Sequence, residues 1–331
     1  MSESARSILR AYRRLQLPTP FVTTHDWSSG KRYFLTVGFG ERFARAARRL
    51  GKQARAIGWF DEVWCIDTES ALFNIGNFLA HTATFRQQFP RGFGLWYWKP
   101  YLVWRALSAI EPGARLFYVD AGCEVSILGE ERFKALDAHA CAHGSVFFTL
   151  PFSDRNWTKP SLLQHLRVDQ LLAVKPQIQA TWFGLANVPG TRELISRWWD
   201  ECSRDNYWAL QEDCVNDSRS GLVEHRHDQS VLSCLIKTAV PAIRTLPWED
   251  FYAPWLYHRD SFVLLEPVHA LRNDSHNSLI ESMVKASTLA ACKYRLEDRR
   301  ARPAVIAARL YHLLRDEAAS VVRLIRRLCG A

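Results

Sequence analysis

The sequence predicts an α/β protein, with a mixed, mostly parallel sheet flanked by helices and a helical C-terminal extension. Three observations lead there. Residues 32–37, 41–57 and 62–66 read as strand, helix and strand, and strands joined through a helix pair in parallel. Leu116–Val119 is a short apolar strand that ends abruptly in Asp120, Gly122 and Glu124. Residues 178–188 form a second long strand-like run, which Pro189-Gly190 turns into another helix. Strands alternating with helices make a layered fold with helices on the sheet faces.

The bulk numbers agree with a folded catalytic or binding domain. The 331 residues are 48% hydrophobic and 23% charged, which suits one large soluble domain or two small ones. Net charge is +9, but residues 1–55 hold twelve Lys/Arg against three acids and residues 293–331 hold ten against four. The remaining middle of the chain is therefore net acidic. A nucleic-acid enzyme gathers basic charge around its cleft, so that class is set aside. The eight cysteines form no CxxC pair and read as reduced thiols of a cytoplasmic protein. No signal peptide is expected at the N-terminus, and no run reaches the ~18 apolar residues of a membrane span. The thirteen tryptophans suit stacking on sugars or bases as well as core packing.

Taken in order, residues 3–15 read as a short basic helix with Ile8, Tyr12 and Leu15 on one side, ended by Pro18 and Pro20. The first strand, 32–37, breaks at Gly38-Phe39-Gly40. Thr36, Gly38 and Gly40 are candidate donor-site positions there, because small residues let backbone approach a phosphate or ribose. The third glycine of a dinucleotide fingerprint is missing. Gly58 closes the first helix, and residues 70–90 read as helical in parts. Pro100 predicts the first turn of a helix over 101–110. Lys99 then lies at a helix start, where the dipole disfavours a cation. That placement suits an anionic partner such as a diphosphate; a surface lysine beside an aromatic cluster is the other reading.

Glu111-Pro112-Gly113 reads as a turn into the strand that ends at Asp120. In an open α/β sheet, ligands bind outside the carboxyl ends of strands, and Gly122 would let a ligand or metal reach the backbone. Residues 145–150 are expected as one strand, and 154–159 as a polar loop with an exposed Trp157. Strand 178–188 leads to a helix over 191–203 capped by Thr191. A polar loop covers 204–224. His227-Asp228-Gln229 opens a further helix, with Asp228 as a helix cap or a site residue, and His225, His227 and Asp228 as a possible metal cluster. Residues 241–275 read as irregular. The last forty residues are helical in pattern, with Ile306, Leu310, Leu313, Val321, Leu324 and Leu328 recurring and Arg309, Arg315, Arg323, Arg326 and Arg327 at other positions. Two basic amphipathic ends suit an anionic inner-membrane surface, or simple packing on the domain.

Several blocks together resemble a known group. Asp120-x-Gly122-x-Glu124 resembles the Asp-x-Asp signature of GT-A fold glycosyltransferases, with Gly122 where the second aspartate stands. His227-Asp228-Gln229-Ser230-Val231-Leu232-Ser233 is similar to the Asp-Gln segment of the glycogenin and lipopolysaccharide galactosyltransferase family. With Gly92-x-Gly94, Trp98-Lys99-Pro100, Trp157-Thr158-Lys159 and Arg272-Asn273, these blocks look like bacterial glycosyltransferases of surface-polysaccharide type, across roughly residues 31–275.

The resemblance implies a GT-A-like (Rossmann-like) catalytic domain over 31–275 between basic helical extensions, 1–30 and 276–331. It implies a nucleotide-sugar donor, a saccharide or lipid-linked acceptor, and retention of configuration. Asp228 and Gln229 would face the transferred sugar. Asp120, with Glu124, would hold ribose or a divalent cation (Mn2+ or Mg2+); alternatively a lysine takes the cation's place. Lys99 or Arg272 would neutralise the diphosphate, and Trp157 and Trp182 would stack on donor or acceptor rings. Two rival classes stand beside this: a non-catalytic nucleotide-sugar or carbohydrate-binding protein on the same fold, and a nucleotidyltransferase, whose glycine-rich Lys/Arg loop Gly38–Arg42 matches poorly.

Overall fold

A computed structural model describes residues 30–125, 129–213, 221–246 and 267–270. Arg272, most of the basic N-terminal segment and all of 276–331 lie outside the described residues. Among the described residues no helix is long and apolar enough to cross a membrane, and the five cysteines are unpaired thiols.

Strand β1 (Arg32–Val37) leads through Gly38 into α1 (Gly40–Ile57), which ends on Gly58 in the left-handed conformation, and then into β2 (Glu62–Ile66). Short helical segments occupy Ile75–His81, Ala83–Gln88 and Gly92–Leu95. Next come α2 (Trp98–Ala109), β3 (Arg115–Val119), β4 (Glu124–Val125) and α3 (Glu130–His143). β5 (Ser145–Val146), β6 (Thr149–Ser153), β7 (Pro176–Ile178) and β8 (Trp182–Ala186) follow. The described chain closes with α4 (Pro189–Tyr207), α5 (His227–Lys237) and β9 (Val268–His269).

The main sheet has the order β2-β1-β3-β8-β5. β1 pairs in parallel with both β2 and β3, whereas β8 runs antiparallel to β3 and to β5. Four strands therefore point one way and β8 the other: a mixed, mostly parallel sheet, as expected. The chain moves outward from β1 to β2, then returns to lay β3 on the other side of β1. The ends of β1 and β3 thus form a switch point, where a crevice opens. Because β8 is reversed, its entry, Ala180-Thr181, meets the exit of β3: the Asp120 amide donates to the Thr181 carbonyl at 2.8 Å.

Strand alternation divides the core into two layers. Tyr33, Leu35, Val37, Leu116, Tyr118, Phe183 and Leu185 pack with residues of α2, α4 and α5. Phe34, Phe117, Val119, Val146 and Trp182 face the opposite side, against Leu50 and Ala54 of α1 and Phe133 and Leu136 of α3. Gly38 has its own packing reason. A Cβ there would lie 2.0 Å from the Phe43 carbonyl oxygen, so only glycine lets the first turn of α1 fold back onto the end of β1.

Four expectations need correction. Residues 145–150 are not one strand: β5 stays in the main sheet, and the chain then shifts to pair β6 with β7. The 178–188 run also breaks, at Gln179–Thr181, between β7 and β8. Residues 154–157 are helical rather than loop, with Trp157 only 5% exposed. Thr191 sits inside α4, where its hydroxyl donates to the Gly144 carbonyl at 2.9 Å, while Val188 is the cap position. Periodicity cannot see a strand changing sheets, because the apolar content continues across the break.

Candidate functional site

A cleft of about 670 Å³ opens at the switch point, within the range of small-ligand sites. Val37 to Phe39 after β1, Asp120 to Cys123 after β3, Ala180-Thr181 before β8 and Glu224 to Gln229 entering α5 line it. The remaining wall is Pro90–Phe93, Trp96, Trp98, Lys99 and Ala270, with Arg42 and Phe43 from α1. Segments nearly two hundred residues apart in sequence are thereby brought together.

Lys99 sits at the floor, in the first turn of α2 and only 3% exposed. Its Nζ lies 3.1 Å from Asp120 Oδ1 and 3.3 Å from Asp228 Oδ2, and donates to the Ala180 carbonyl at 3.1 Å. Burial works against its charge, but the two carboxylates outweigh that and hold it above the ordinary lysine range. Tyr118 and Asp120, two residues apart on one strand, share a face, so the Tyr118 hydroxyl donates to Asp120 Oδ1 at 2.7 Å. Burial, then Asp120, push the Tyr118 hydroxyl well above the usual range, so it stays a donor. Burial raises Asp228 to about 6, against the pull of Lys99.

Asp228 and Gln229 belong to a helix whose residues 227–236 are all buried. That burial requires a polar network beneath α5. The Gln229 amide accepts from the Ala180 N–H at 3.2 Å and donates to Gln177 Oε1 at 2.7 Å. Gln177 donates in turn to Asp154 Oδ1. Asp154, fully buried, also takes the Thr158 and Ser233 hydroxyls and the Lys237 ammonium at 2.5 Å. The Trp198 indole N–H donates to the Asp228 carbonyl at 2.9 Å. Asp228 is in the first turn of α5, and no side chain caps that helix.

The aromatic wall rests on an unusual backbone. Gly92 to Trp96 have φ between +53° and +94° at every residue, a left-handed turn that costs roughly 1–2 kcal/mol for each side-chain-bearing residue. It brings Trp96 onto the His227 ring, with centroids 5.6 Å apart, and Phe93 onto Phe39 at 4.9 Å. His227 itself has φ +45°. Its Nδ1 hydrogen-bonds the Leu210 carbonyl at 2.6 Å, and burial lowers its pKa. Arg91 pairs with Glu224 at the rim, and its guanidinium lies over Trp96.

The other candidate positions fall elsewhere. Gly38 lines the cleft, but Thr36 points with Phe34 into the α1 side of the sheet and is fully buried, and Gly40 is exposed at the start of α1 outside the lining. Glu124 is buried in β4, where it accepts from Gln53 Nε2 at 3.2 Å, and it does not line the cleft. Trp157 and Trp182 (1% exposed) are core residues; Trp157 carries the Arg226 guanidinium on its ring at 4.1 Å. Neither ring is available for a sugar. His225 bonds the Lys159 N–H and the Ala209 carbonyl with its two ring nitrogens. Among the described residues no three His, Cys, Asp or Glu side chains are grouped to hold a metal.

The sequence reading missed the Ala180 carbonyl, Gln177 and the Tyr118 hydroxyl. Only the last left a signal, in its two-residue spacing from Asp120.

No family model matches the chain, and no curated protein matches it. Among solved structures, the galactosyltransferase LgtC in complex with donor and acceptor sugar analogues is similar over 67% of this chain and 74% of its own, at 13% identity and TM-score 0.37. Mouse xyloside xylosyltransferase 1, apo form, is similar over 72% and 97%, at 10% identity and TM-score 0.36. The 4-diphosphocytidyl-2C-methyl-D-erythritol synthase of Anaerococcus prevotii is similar over 68% and 91%, at 11% identity and TM-score 0.33. Likenesses this distant lend nothing to a functional assignment, which has to come from the side chains of the cleft.

Proposed function

We propose that the chain is a glycosyltransferase of GT-A-like type, moving a sugar from a nucleoside-diphosphate donor to a saccharide or lipid-linked acceptor in surface-polysaccharide synthesis. One observation carries this reading. The three blocks that resemble glycosyltransferases, around Lys99, Asp120 and Asp228-Gln229, converge on one cleft at the strand-order switch point.

In this reading the nucleotide lies along the Val37–Phe39 turn and the exposed Phe43. Asp120 accepts from donor hydroxyls, and Asp228 and Gln229 face the transferred sugar. The anomeric carbon–oxygen bond breaks with its electron pair leaving on the diphosphate. That charge needs a cation or a set of donors aimed at it, and Arg42, Arg91 and Arg226 of the lining are the side chains for it. Transfer with retention follows the Asp-Gln resemblance. The divalent cation expected on Asp120 and Glu124 fits poorly, since Glu124 faces Gln53 rather than the cleft.

Differential scanning fluorimetry and hydrolysis assays across nucleotide sugars test the proposal. A stabilising donor that is slowly hydrolysed is the expected outcome; no response to any donor would reject it. The basic terminal segments are proposed to hold the protein at an anionic inner-leaflet surface. Flotation with anionic liposomes at low salt should recover the protein, and failure to float would remove that part.

A further inference from the structure

The floor of the cleft already contains a cation. An ammonium group has three hydrogens, and Lys99 Nζ has three oxygens around it: Asp120 Oδ1 at 3.1 Å, Asp228 Oδ2 at 3.3 Å and the Ala180 carbonyl at 3.1 Å. These come from three separate segments, the exit of β3, the first turn of α5 and the entry to β8. We propose that the Lys99 ammonium, bridging Asp120 and Asp228, stands in for the divalent cation expected at Asp120, and that the protein turns over its donor without one. The turnover clause rests on the proposed glycosyltransferase function; the occupancy clause does not.

The acidic positions after β3 have other engagements. A divalent cation of the magnesium type needs about six oxygens at ~2.0–2.1 Å. Gly122 brings no side chain to the second acidic position. Glu124 is buried and accepts from Gln53 Nε2. The turn between Asp120 and Glu124 is fixed from the other side, because Arg49 Nη2 donates to the carbonyls of Ala121 and Cys123 at 3.1 and 2.6 Å. Swinging Glu124 into the cleft would break that buried arrangement. Asp120 Oδ1 is further committed to the Tyr118 hydroxyl at 2.7 Å.

The placement of Lys99 has a physical logic of its own. A lysine in the first turn of a helix meets the unfavourable end of the dipole, and burying it alone would be costly. Both penalties are offset by the carboxylates it bridges, with the Ala180 carbonyl as its third partner. The bridge also orients Asp120 and Asp228 toward one another from opposite walls. The leaving diphosphate is then left to the arginines of the lining.

Two measurements on the full-length chain decide this. In the first, the free Mn2+ signal is followed by electron paramagnetic resonance as wild-type protein is added. The signal should stay undiminished. Stoichiometric loss of signal with wild type that disappears in Asp120→Asn would overturn the proposal. In the second, donor hydrolysis is measured in EDTA and in added manganese. Equal rates are expected, and a fall of at least about tenfold in EDTA that manganese restores would also overturn it. Should no donor be hydrolysed at all, the glycosyltransferase reading fails while the manganese titration still decides what sits between Asp120 and Asp228.

Discussion

Asp228 joins a structural contact to the role proposed for it in transfer. Its carboxylate is buried against Lys99, and burial places its pKa at about 6. The ionised form therefore dominates above that pH and is lost as pH falls through it. If Asp228 acts as a carboxylate, kcat/KM should decline below about pH 6, and a pH–rate profile checks this. Asp228→Asn should remove the acidic limb together with at least about a hundredfold of the rate, taking the lower end of what a positioned acid–base group contributes. A profile with the same limb in the variant would assign the titration to another group. Asp120→Asn should abolish turnover with unchanged circular dichroism, since Asp120 is partly exposed and the Lys99 ammonium keeps Asp228 and Ala180.

Elements, rather than single residues, set the geometry of the cleft. The left-handed turn over Gly92–Trp96 is held by packing, and Gly94 has its largest φ, +94°, where a Cβ would lie 2.6 Å from the Tyr97 ring. Gly94→Ala should cost roughly 1–3 kcal/mol, read by chemical denaturation, and should weaken donor binding by displacing Trp96. Beneath α5, Asp154 satisfies Lys237, Ser233, Thr158 and Gln177 at once. Asp154→Ala leaves a lysine buried without its partner, so a loss of about 3–5 kcal/mol in denaturant unfolding is expected. An effect below ~1 kcal/mol would mean that α5 is held by its apolar contacts alone.

At the scale of the whole molecule, a donor in the cleft would join the exits of β1 and β3 to the start of α5. Ligand at about one hundred times its Kd should add ~2.7 kcal/mol to stability, which for a domain of this size raises Tm by several degrees, roughly 2–4 °C per kcal/mol. Differential scanning fluorimetry reads that shift directly. A binding-only protein would show it as well, so the separating observation is hydrolysis of the same donor.

The sequence by itself determined the local elements that repeat or stop sharply. The first strand–helix–strand unit, the glycine end of α1 and the strand ending at Asp120 were all legible, because periodicity and breakers are properties of neighbouring residues. It also pointed to Lys99 and Asp120, through a lysine at a helix start and an acid at a strand end, and to Asp228 and Gln229 through the resemblance of their segment. Tertiary structure alone decided what those residues do to one another. Nothing in the spacing of Lys99, Asp120 and Asp228 says that one ammonium bridges two acids, since the contact exists only because reversed β8 and buried α5 meet the end of β3. The same holds for the misplaced candidates. Thr36 and Trp182 carry suitable chemistry in sequence, but strand alternation turns both toward the α1 side of the sheet, and Glu124 is drawn beneath α1 by Gln53. Burial and pairing are long-range facts, fixed by which surfaces the folded chain removes from water.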